Sequence, residues 1–285
     1  MDFWKMNGIG NDYVYVLDLK KEINNEKELS IKVSNRNFGI GSDGLVLIRN
    51  PQNTNSSADF RMDMYNADGS QSEMCGNAIR CVGKFVYDSN LTTKKEIIIE
   101  TLAGDKVLKL NVLETDNKVL SVKVNMGEPI LQGSLIPVSK DLDRVFDEEI
   151  TVLDKKYLAN CVSMGNPHNV IYLEKGEVAK LDLLSIGKYF ENHELFPKKV
   201  NTEFVEIIDR DNLKMRVYER GSGETLACGT GACAVAVVSI LKGLCNEKVN
   251  IHLLGGVLEI EYNPKDNFVY MTGSCDVQFI GKYLG

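Results

Sequence analysis

Two short segments of this 285-residue chain are near copies of each other, and this duplication constrains the fold more than any other feature. The first, QSEMCGNAIRCVGKFVY, contains Cys75, and the second, TLACGTGACAVAVVSI, contains Cys228, 153 positions later. In both, a cysteine precedes a glycine and a small polar residue, and an apolar stretch of helical character follows. The duplicated helix start predicts two related halves that each contribute one thiol to a shared active site.

The duplication extends beyond the two cysteine segments. Upstream, MNGIGNDYVYVL around Asn11 parallels SMGNPHNVIYL around Asn166, and downstream GDKVLKLNV parallels GGVLEIEYN. Asn66 and Glu219 each stand nine residues before the cysteine of their own copy. Offsets that stay between 150 and 155 over most of each half indicate one duplicated unit.

Each copy combines short strands with helices, and the expected fold class is α+β. Runs bounded by Gly, Asn and Asp predict first-half strands at 13–17, 45–48, 60–65, 96–100, 106–113 and 119–124. Peripheral helices are predicted at 31–37 and 181–191, and a charged surface connection at 139–149. The helix after Cys228 is apolar on every side and must be surrounded. Each half is therefore expected to wrap a barrel-like sheet around a central helix.

Composition and charge exclude several classes of protein. The chain is 44% hydrophobic and 26% charged, with a net charge of −7 and no Lys/Arg cluster, so it lacks the basic surface of a nucleic-acid binder. The longest uncharged run, 225–241, is shorter than the roughly 20 residues that cross a bilayer, and no signal peptide is visible. Seven cysteines without a CxxC pair favour thiols in a reducing cytoplasm and disfavour a structural zinc site. We expect a cytoplasmic protein with no metal and no nucleic-acid or membrane partner.

The two cysteines are candidate acid and base groups. A helix start favours the thiolate and can lower a cysteine pKa from about 8.5 into the neutral range. Gly76 and Gly229 let a ligand approach the first-turn amides, which form an anion site. Stereoinversion at the α-carbon of an amino acid needs one group to remove a proton and another to deliver one to the opposite face. A thiolate and a thiol beside a carboxylate cradle supply both, and no cofactor is expected.

Polar residues near the cysteines are candidates for substrate binding. Glu219 suits an ammonium group, Arg220 suits a carboxylate, and His168 is placed to tune a thiol. Asparagines that either form turns or bind a zwitterion are Asn11, Asn66, Asn166 and Asn201. The remaining cysteines are expected to be small buried hydrophobic residues: Cys81, Cys161, Cys233, Cys245 and Cys275.

At these residues the chain resembles the diaminopimelate epimerase family. The matching blocks run in the family's order across nearly the whole chain: KMNGIGNDYV, FGIGSDGLVLI, MYNADGSQSEMCGNAIRCVGKF, VSMGNPHNV, VNTEFVEI and VYERGSGETLACGTGACA. The resemblance implies pyridoxal-independent interconversion of LL- and meso-2,6-diaminopimelate, in lysine and peptidoglycan precursor biosynthesis, by a homodimer. It also implies halves at 1–119 and 120–274, each a mixed, mainly antiparallel barrel-like sheet around a helix. Residues 275–285 would return to the N-terminal half, with the active site in the cleft.

The resemblance also assigns roles to individual residues. Cys75 would be the proton donor and Cys228 the acceptor in the LL-to-meso direction, with His168 and Glu219 tuning the thiols. Backbone amides that would bind the reacting carboxylate belong to Gly76, Asn77, Gly229 and Thr230. Glu219 would hold the ammonium group. Residues that would bind the rest of the substrate are Asn11, Asn66, Asn166, Asn201 and Arg220. The chain departs from the family at Gly44, where many members have Gln, and at Ala78, where Gly is usual.

Two other functions remain open at this stage. A proline-racemase-like enzyme acting on another amino or imino acid would have the same fold, although Arg220 and the asparagines favour a longer, doubly zwitterionic substrate. A dithiol redox protein would use the same two thiols to form a disulfide. Solvent deuterium at a substrate α-carbon separates both epimerising enzymes from the redox protein.

Overall fold

The computed structural model describes residues 1–53 and 55–285 and divides into two compact units. Unit 1 comprises Met1–Asn125 and Thr272–Gly285, and unit 2 comprises Met126–Met271. Four α-helices and eighteen strands occur within the described residues, and the α+β class predicted from the sequence is confirmed. No helix in these residues is long and apolar enough to span a membrane.

Unit 1 is a mixed sheet with one nearly fully buried helix. Its strands are β1 (Asp2–Gly8), β2 (Asn11–Leu17), β3 (Gly44–Arg49), β4 (Phe60–Asn66), β5 (Gln71–Ser72), β6 (Glu96–Glu100), β7 (Lys106–Leu113), β8 (Lys118–Gly127, which runs into unit 2) and β18 (Asp276–Lys282). Its helices are α1 (Glu26–Ser34) and α2 (Gly76–Asp88). Neighbouring strands are antiparallel except for the parallel pairs β2–β3 and β4–β6. In α2 every residue except Lys84 is buried.

Unit 2 repeats this arrangement. Its strands are β9 (Val145–Val152), β10 (Lys155–Ser163), β11 (Pro167–Tyr172), β12 (Asn201–Ile207), β13 (Asn212–Glu219), β14 (Gly223–Thr225), β15 (Lys248–Leu253), β16 (Gly256–Tyr262) and β17 (Val269–Ser274, which runs into unit 1). Its helices are α3 (Leu183–Glu191) and α4 (Gly229–Leu241), with 3-10 turns at Gly133–Leu135 and Val178–Lys180. The parallel pairs are β11–β12 and β13–β15. The first three turns of α4 are buried apart from Thr230, as its all-apolar sequence predicts.

The two units match in topology and in register. A peripheral helix connects each first parallel pair (α1 between β2 and β3, α3 between β11 and β12), as parallel neighbours require. Tyr13 lies opposite Gly44 in unit 1, and His168 lies opposite Asn201 in unit 2. Two residues further along, Tyr15 lies opposite Val46 in unit 1, and Val170 lies opposite Glu203 in unit 2. These registers define which side chains occupy equivalent positions in the two units.

Two predicted segments are placed incorrectly by the sequence. The first helix spans Glu26–Ser34 rather than 31–37, because the side chain of Asn35 accepts hydrogen bonds from the amides of Asn37 and Phe38 and ends the helix in a turn. The connection predicted at 139–149 ends in strand β9, which begins at Val145. Charged residues occupy the exposed positions of β9, and they concealed the apolar alternation of its buried face.

Candidate active site

In unit 2 the Cys228 thiol lies at the start of helix α4. Cys228 is the N-cap residue, in an extended backbone conformation, and its Sγ accepts a hydrogen bond from the Gly231 amide at 3.4 Å. The Thr230 hydroxyl lies 3.6 Å from the same sulfur. The side chain of Cys228 is buried, with 6% exposed. The thiol therefore points into the first turn, where two donors are available to a thiolate.

The electrostatic environment of Cys228 opposes ionisation. Burial raises the pKa of the thiol well above its usual value, and the nearby carboxylates of Glu219 and Glu203 raise it further. The hydrogen bonds from Thr230 and Gly231 lower the pKa but do not offset these effects. The helix-start rule, which predicts a lowered pKa, is therefore wrong for Cys228.

Glu219, at the end of β13, is the first of these carboxylates. Its Oε1 accepts a short hydrogen bond from the Thr225 hydroxyl on β14. Burial raises the pKa of Glu219, and Glu203 adds to this effect. The Thr225 hydrogen bond, the charge of His168 and a hydrogen bond with Cys228 act in the opposite direction. Sequence reasoning identified Glu219 but missed Thr225, although Thr225 precedes Cys228 by only three positions.

His168, on β11, lies between two polar side chains. Its Nδ1 is 2.7 Å from the Glu203 carboxylate on β12, and its Nε2 is 3.0 Å from the side-chain amide of Asn166. His168 and Glu203 are both fully buried. The structure thus joins two sequence-predicted residues, His168 and Asn166, to a carboxylate that the sequence did not indicate. A charged residue inside the strand sequence VNTEFVEI was the available signal.

The side chain of Asn201 forms hydrogen bonds that connect the ends of strands β11, β12 and β13. Its amide nitrogen donates to the Pro167 carbonyl at 2.9 Å, and its oxygen accepts from the Arg220 backbone amide at 2.9 Å. The exposed guanidinium of Arg220 donates to the Lys198 carbonyl at 3.0 Å. Glu224, in contrast, forms a bidentate ion pair with Arg216 at 2.7 and 3.0 Å. Asn201 therefore stabilises the ends of these strands, a structural role that the sequence did not indicate.

In unit 1 the Cys75 thiol occupies the equivalent place at the start of α2. Cys75 is the N-cap residue with an extended backbone, and it is partly exposed. The side-chain amide nitrogen of Asn77 donates to the side-chain oxygen of Asn11 at 2.5 Å, so the structure brings these two candidate residues together. Asn66 instead donates from its side chain to the Ser70 hydroxyl at 3.0 Å within a turn.

A buried cation lies beneath this first turn. The Arg80 guanidinium donates to the Gly76 carbonyl at 3.1 Å and to the side-chain oxygen of Asn77 at 2.9 Å. Burial lowers the pKa of Arg80, and attraction to Cys81, Cys275 and Cys75 opposes that effect. Sequence reasoning missed Arg80, which stands five residues after Cys75. Its cationic charge stabilises anions near the start of α2.

The two departures from the family pattern have local causes. A Cβ at Gly44 would lie 2.1 Å from the Tyr65 carbonyl oxygen, so this backbone excludes a side chain there. Ala78 is accommodated, and the Tyr15 hydroxyl donates to its carbonyl at 3.3 Å. The equivalent residue in unit 2 is Gly231, where a Cβ would lie 2.7 Å from Glu203 Oε1.

Solved structures that share this fold include amino-acid epimerases and racemases. A hydroxyproline epimerase from Agrobacterium vitis superposes with a TM-score of 0.66 at 13% identity, covering 99% of this chain and 90% of that chain. A probable proline racemase from Agrobacterium radiobacter K84 gives a TM-score of 0.67 at 12% identity, covering 99% and 92%. At this level of identity the likeness establishes the fold alone.

The family follows from the sequence comparisons. The family model described as diaminopimelate epimerase matches residues 3–132 and 160–277. Curated relatives of that name include one from Methanococcus maripaludis strain C5, 57% identical over 282 residues, which cover 99% of each chain. Another, from Acetivibrio thermocellus, is 53% identical over 282 residues, which cover 99% of this chain and 98% of the relative. The chain belongs to the diaminopimelate epimerase family, and the resemblance noted from the sequence is confirmed.

Proposed function

We propose that this protein interconverts LL- and meso-2,6-diaminopimelate, with Cys75 and Cys228 exchanging the α-proton on opposite faces of the substrate, as a step of lysine and peptidoglycan precursor biosynthesis. One observation carries the proposal: equivalent cysteines cap equivalent helices in two units of the same topology. Family membership supports the choice of substrate. The proposal places the active site in the cleft between the units.

The reaction divides into two proton transfers at one carbon. In the LL-to-meso direction the Cys228 thiolate removes the α-proton, and the Cys75 thiol delivers a proton to the opposite face. Negative charge spreads onto the α-carboxylate, where helix-start amides would stabilise it, each donor contributing about 3 kcal/mol. The amides assigned to this role belong to Gly76, Asn77, Gly229 and Thr230.

The charges near Cys228 give the substrate a part in activating it. The carboxylates of Glu219 and Glu203 favour the neutral thiol in the protein alone. An α-ammonium group held by Glu219 would neutralise part of that negative charge, and the thiolate would become more accessible when substrate is bound. A thiolate formed against these carboxylates is also a stronger base than an exposed one.

The distal end of the substrate would be bound by polar side chains of both units. We assign this role to Asn11, Asn66, Asn166 and Arg220. Asn201 acts through Arg220, because its side-chain oxygen holds the Arg220 backbone amide. Both proton transfers are assigned to protein thiols, without a cofactor. We further propose that the protein is a cytoplasmic homodimer.

The experiment is a chiral assay of purified, reduced protein with LL-diaminopimelate. The meso isomer is expected to accumulate, and added pyridoxal phosphate leaves the rate unchanged. Cys75→Ser and Cys228→Ser each lower the rate by about 1,000-fold or more, in line with loss of a catalytic acid or base. Cys161→Ser, a buried cysteine in unit 2, is the matched control and retains activity.

Three results would contradict the proposal. They are turnover of L-proline in place of diaminopimelate, a pyridoxal requirement, or full activity in either serine variant. The proposed dimer is tested separately by light scattering coupled to size-exclusion chromatography, where the mass of one 31.8-kDa chain would refute it.

A further inference from the structure

Glu203 is a fully buried carboxylate that is assigned neither to the substrate nor to proton transfer, although its charge acts on the Cys228 thiol. It lies on β12, and its Oε1 accepts a hydrogen bond from His168 Nδ1 on the neighbouring parallel strand β11 at 2.7 Å. Both side chains are completely inaccessible to solvent. Burying a carboxylate is costly unless it is paired, so the imidazole is the group that makes this position tolerable.

The same carboxylate contacts the helix start that holds the Cys228 thiol. A Cβ built on Gly231 would lie 2.7 Å from Glu203 Oε1 and 3.2 Å from Cys228 Sγ. The Gly231 amide donates to that sulfur at 3.4 Å. Glu203 therefore fills the space beside Gly231 and links the imidazole of His168 to the first turn of α4.

This contact determines which nitrogen of His168 carries a proton. A carboxylate only accepts hydrogen bonds, so Nδ1 must be the donor toward Glu203. The opposite nitrogen, Nε2, lies 3.0 Å from the side-chain oxygen Oδ1 of Asn166, which is an acceptor, so Nε2 is the donor in that contact. Because Asn166 is assigned to the substrate, Nε2 is the nitrogen on the side proposed for substrate binding.

The fold itself does not require this pair. The equivalent positions in unit 1 are Tyr13 and Val46, and both are buried. Strands of the same register thus accommodate an apolar residue where unit 2 has a carboxylate. Since an apolar residue at such a position is usually at least as stabilising as a buried ion pair, stability does not explain Glu203.

We propose that Glu203 is a positioning residue of the active site, holding the His168 ring in its Nδ1–H form with Nε2 directed at the Asn166 side. The effect of Glu203 on catalysis rests on the proposed function, whereas the effect of Glu203 on the His168 ring does not. Glu203 does not touch the substrate and acts through His168. In a hydrogen-bonded pair of this kind, loss of the carboxylate charge releases the ring to the other tautomer.

The test is nitrogen NMR of the protein labelled with ¹⁵N-histidine. The chain has only three histidines, so the resonances of His168 can be assigned with a His168→Gln variant. In the unaltered protein Nδ1 of His168 is expected to be protonated, in either the neutral or the charged ring. In Glu203→Gln the amide group donates to Nδ1, and the proton moves to Nε2. The kcat falls about 10- to 100-fold while KM changes less than threefold.

Glu206→Gln is the matched control. Glu206 lies on the same strand, is also buried, and is directed to the opposite face of β12. It is expected to leave the His168 spectrum unchanged and kcat within about twofold, because the alternation of a strand separates its side chain from His168.

Each outcome supports or overturns the inference. A His168 ring protonated only at Nε2 in the unaltered protein would overturn it without any variant. An unchanged tautomer in Glu203→Gln, or equal effects of Glu203→Gln and Glu206→Gln on kcat, would also overturn it. If the expected spectra appear but diaminopimelate is not epimerised, the proposed function fails and the positioning of His168 stands.

Discussion

The two thiol sites share one backbone plan and differ in the charge placed beneath each thiol. In unit 1 the first turn of α2 lies over the buried guanidinium of Arg80. In unit 2 the first turn of α4 lies beside the buried carboxylate of Glu203 and the half-buried carboxylate of Glu219. The duplication thus preserved the position of the thiol while the surrounding charge diverged. The equivalent pairs are Arg80 and Cys233, Val46 and Glu203, Tyr13 and His168, and Ala78 and Gly231.

This difference matters because a two-base reaction needs the two thiols in opposite protonation states. Identical surroundings would leave neither thiol preferred as the base. The Arg80 guanidinium lies near Cys75, whereas burial and two carboxylates favour the thiol form of Cys228. The resting protein is therefore expected to hold a proton on Cys228, which would act as the acid in the meso-to-LL direction.

The largest expected effect concerns the buried cation. Arg80→Met removes hydrogen bonds to Gly76 and Asn77 and leaves their buried oxygens without this donor. The free energy of unfolding, measured with urea, should fall by about 3 kcal/mol. Cys233→Ala, at the equivalent position of α4, should cost about 1 kcal/mol. If Arg80→Met lowered the free energy of unfolding no more than Cys233→Ala does, the buried guanidinium would not be a stabilising difference between the two helix starts.

The second effect concerns the equivalent pair Gly231 and Ala78. Gly231→Ala should destabilise the protein by about 2 kcal/mol, because the new methyl group meets the Glu203 carboxylate. Ala78→Gly should cost about 1 kcal/mol through helix propensity alone. Thermal unfolding of both variants measures the difference. Equal stability of Gly231→Ala and the unaltered protein would show that Glu203 does not occupy this space.

The third prediction concerns the pH dependence of the reactivity of the two thiols. Iodoacetamide reacts with the thiolate, so the rate of Cys228 alkylation should increase with pH to a midpoint at its raised pKa and then level off. In variants that retain only one of the two catalytic thiols, the Cys228 midpoint should lie above the Cys75 midpoint, because Cys228 is buried beside carboxylates and Cys75 is partly exposed. Glu219→Gln should move the Cys228 midpoint downward. Coincident midpoints, read from peptide mass spectra, would contradict opposite resting states.

The smallest effect tests a contact found in unit 1 alone. The Tyr15 hydroxyl donates to the Ala78 carbonyl at 3.3 Å, and the equivalent residue in unit 2 is Val170. Since unit 2 folds without this bond, Tyr15→Phe should lower the free energy of unfolding by only about 0.5 kcal/mol. Denaturant unfolding measures it, and a loss above about 2 kcal/mol would show that the start of α2 depends on this hydroxyl.

Features that depend on neighbouring residues in the chain could be predicted from the sequence. Six strands of the first half and the two buried helices follow from local alternation and from the all-apolar run after Cys228, whereas β1 and β5 were not predicted. The helix-start positions of Cys75 and Cys228 follow from the duplicated glycines. The end of α1 was misplaced because Asn35 closes it with a side-chain turn rather than with a glycine.

Features that depend on distant residues could not be predicted. Glu203 meets His168 across 35 positions because β11 and β12 pair in parallel, and no local pattern specifies that register. Arg80 also donates to the carbonyl of Ser274, near the end of the chain. The helix-start rule for Cys228 failed for the same reason, since the burial of the thiol and the carboxylates that oppose its ionisation both come from other elements of unit 2.

The most direct test of two-base proton transfer is the location of deuterium at early times in heavy water. With LL-diaminopimelate as substrate, two thiols acting from opposite faces predict one deuterium at the inverted α-carbon of the meso product and almost none in recovered LL substrate. Mass spectra of the separated isomers measure the deuterium in substrate and in product. Below about 10% conversion, little product has reacted back to substrate. Equal labelling of substrate and product at that stage would show a single base acting on both faces and contradict the paired roles of Cys75 and Cys228.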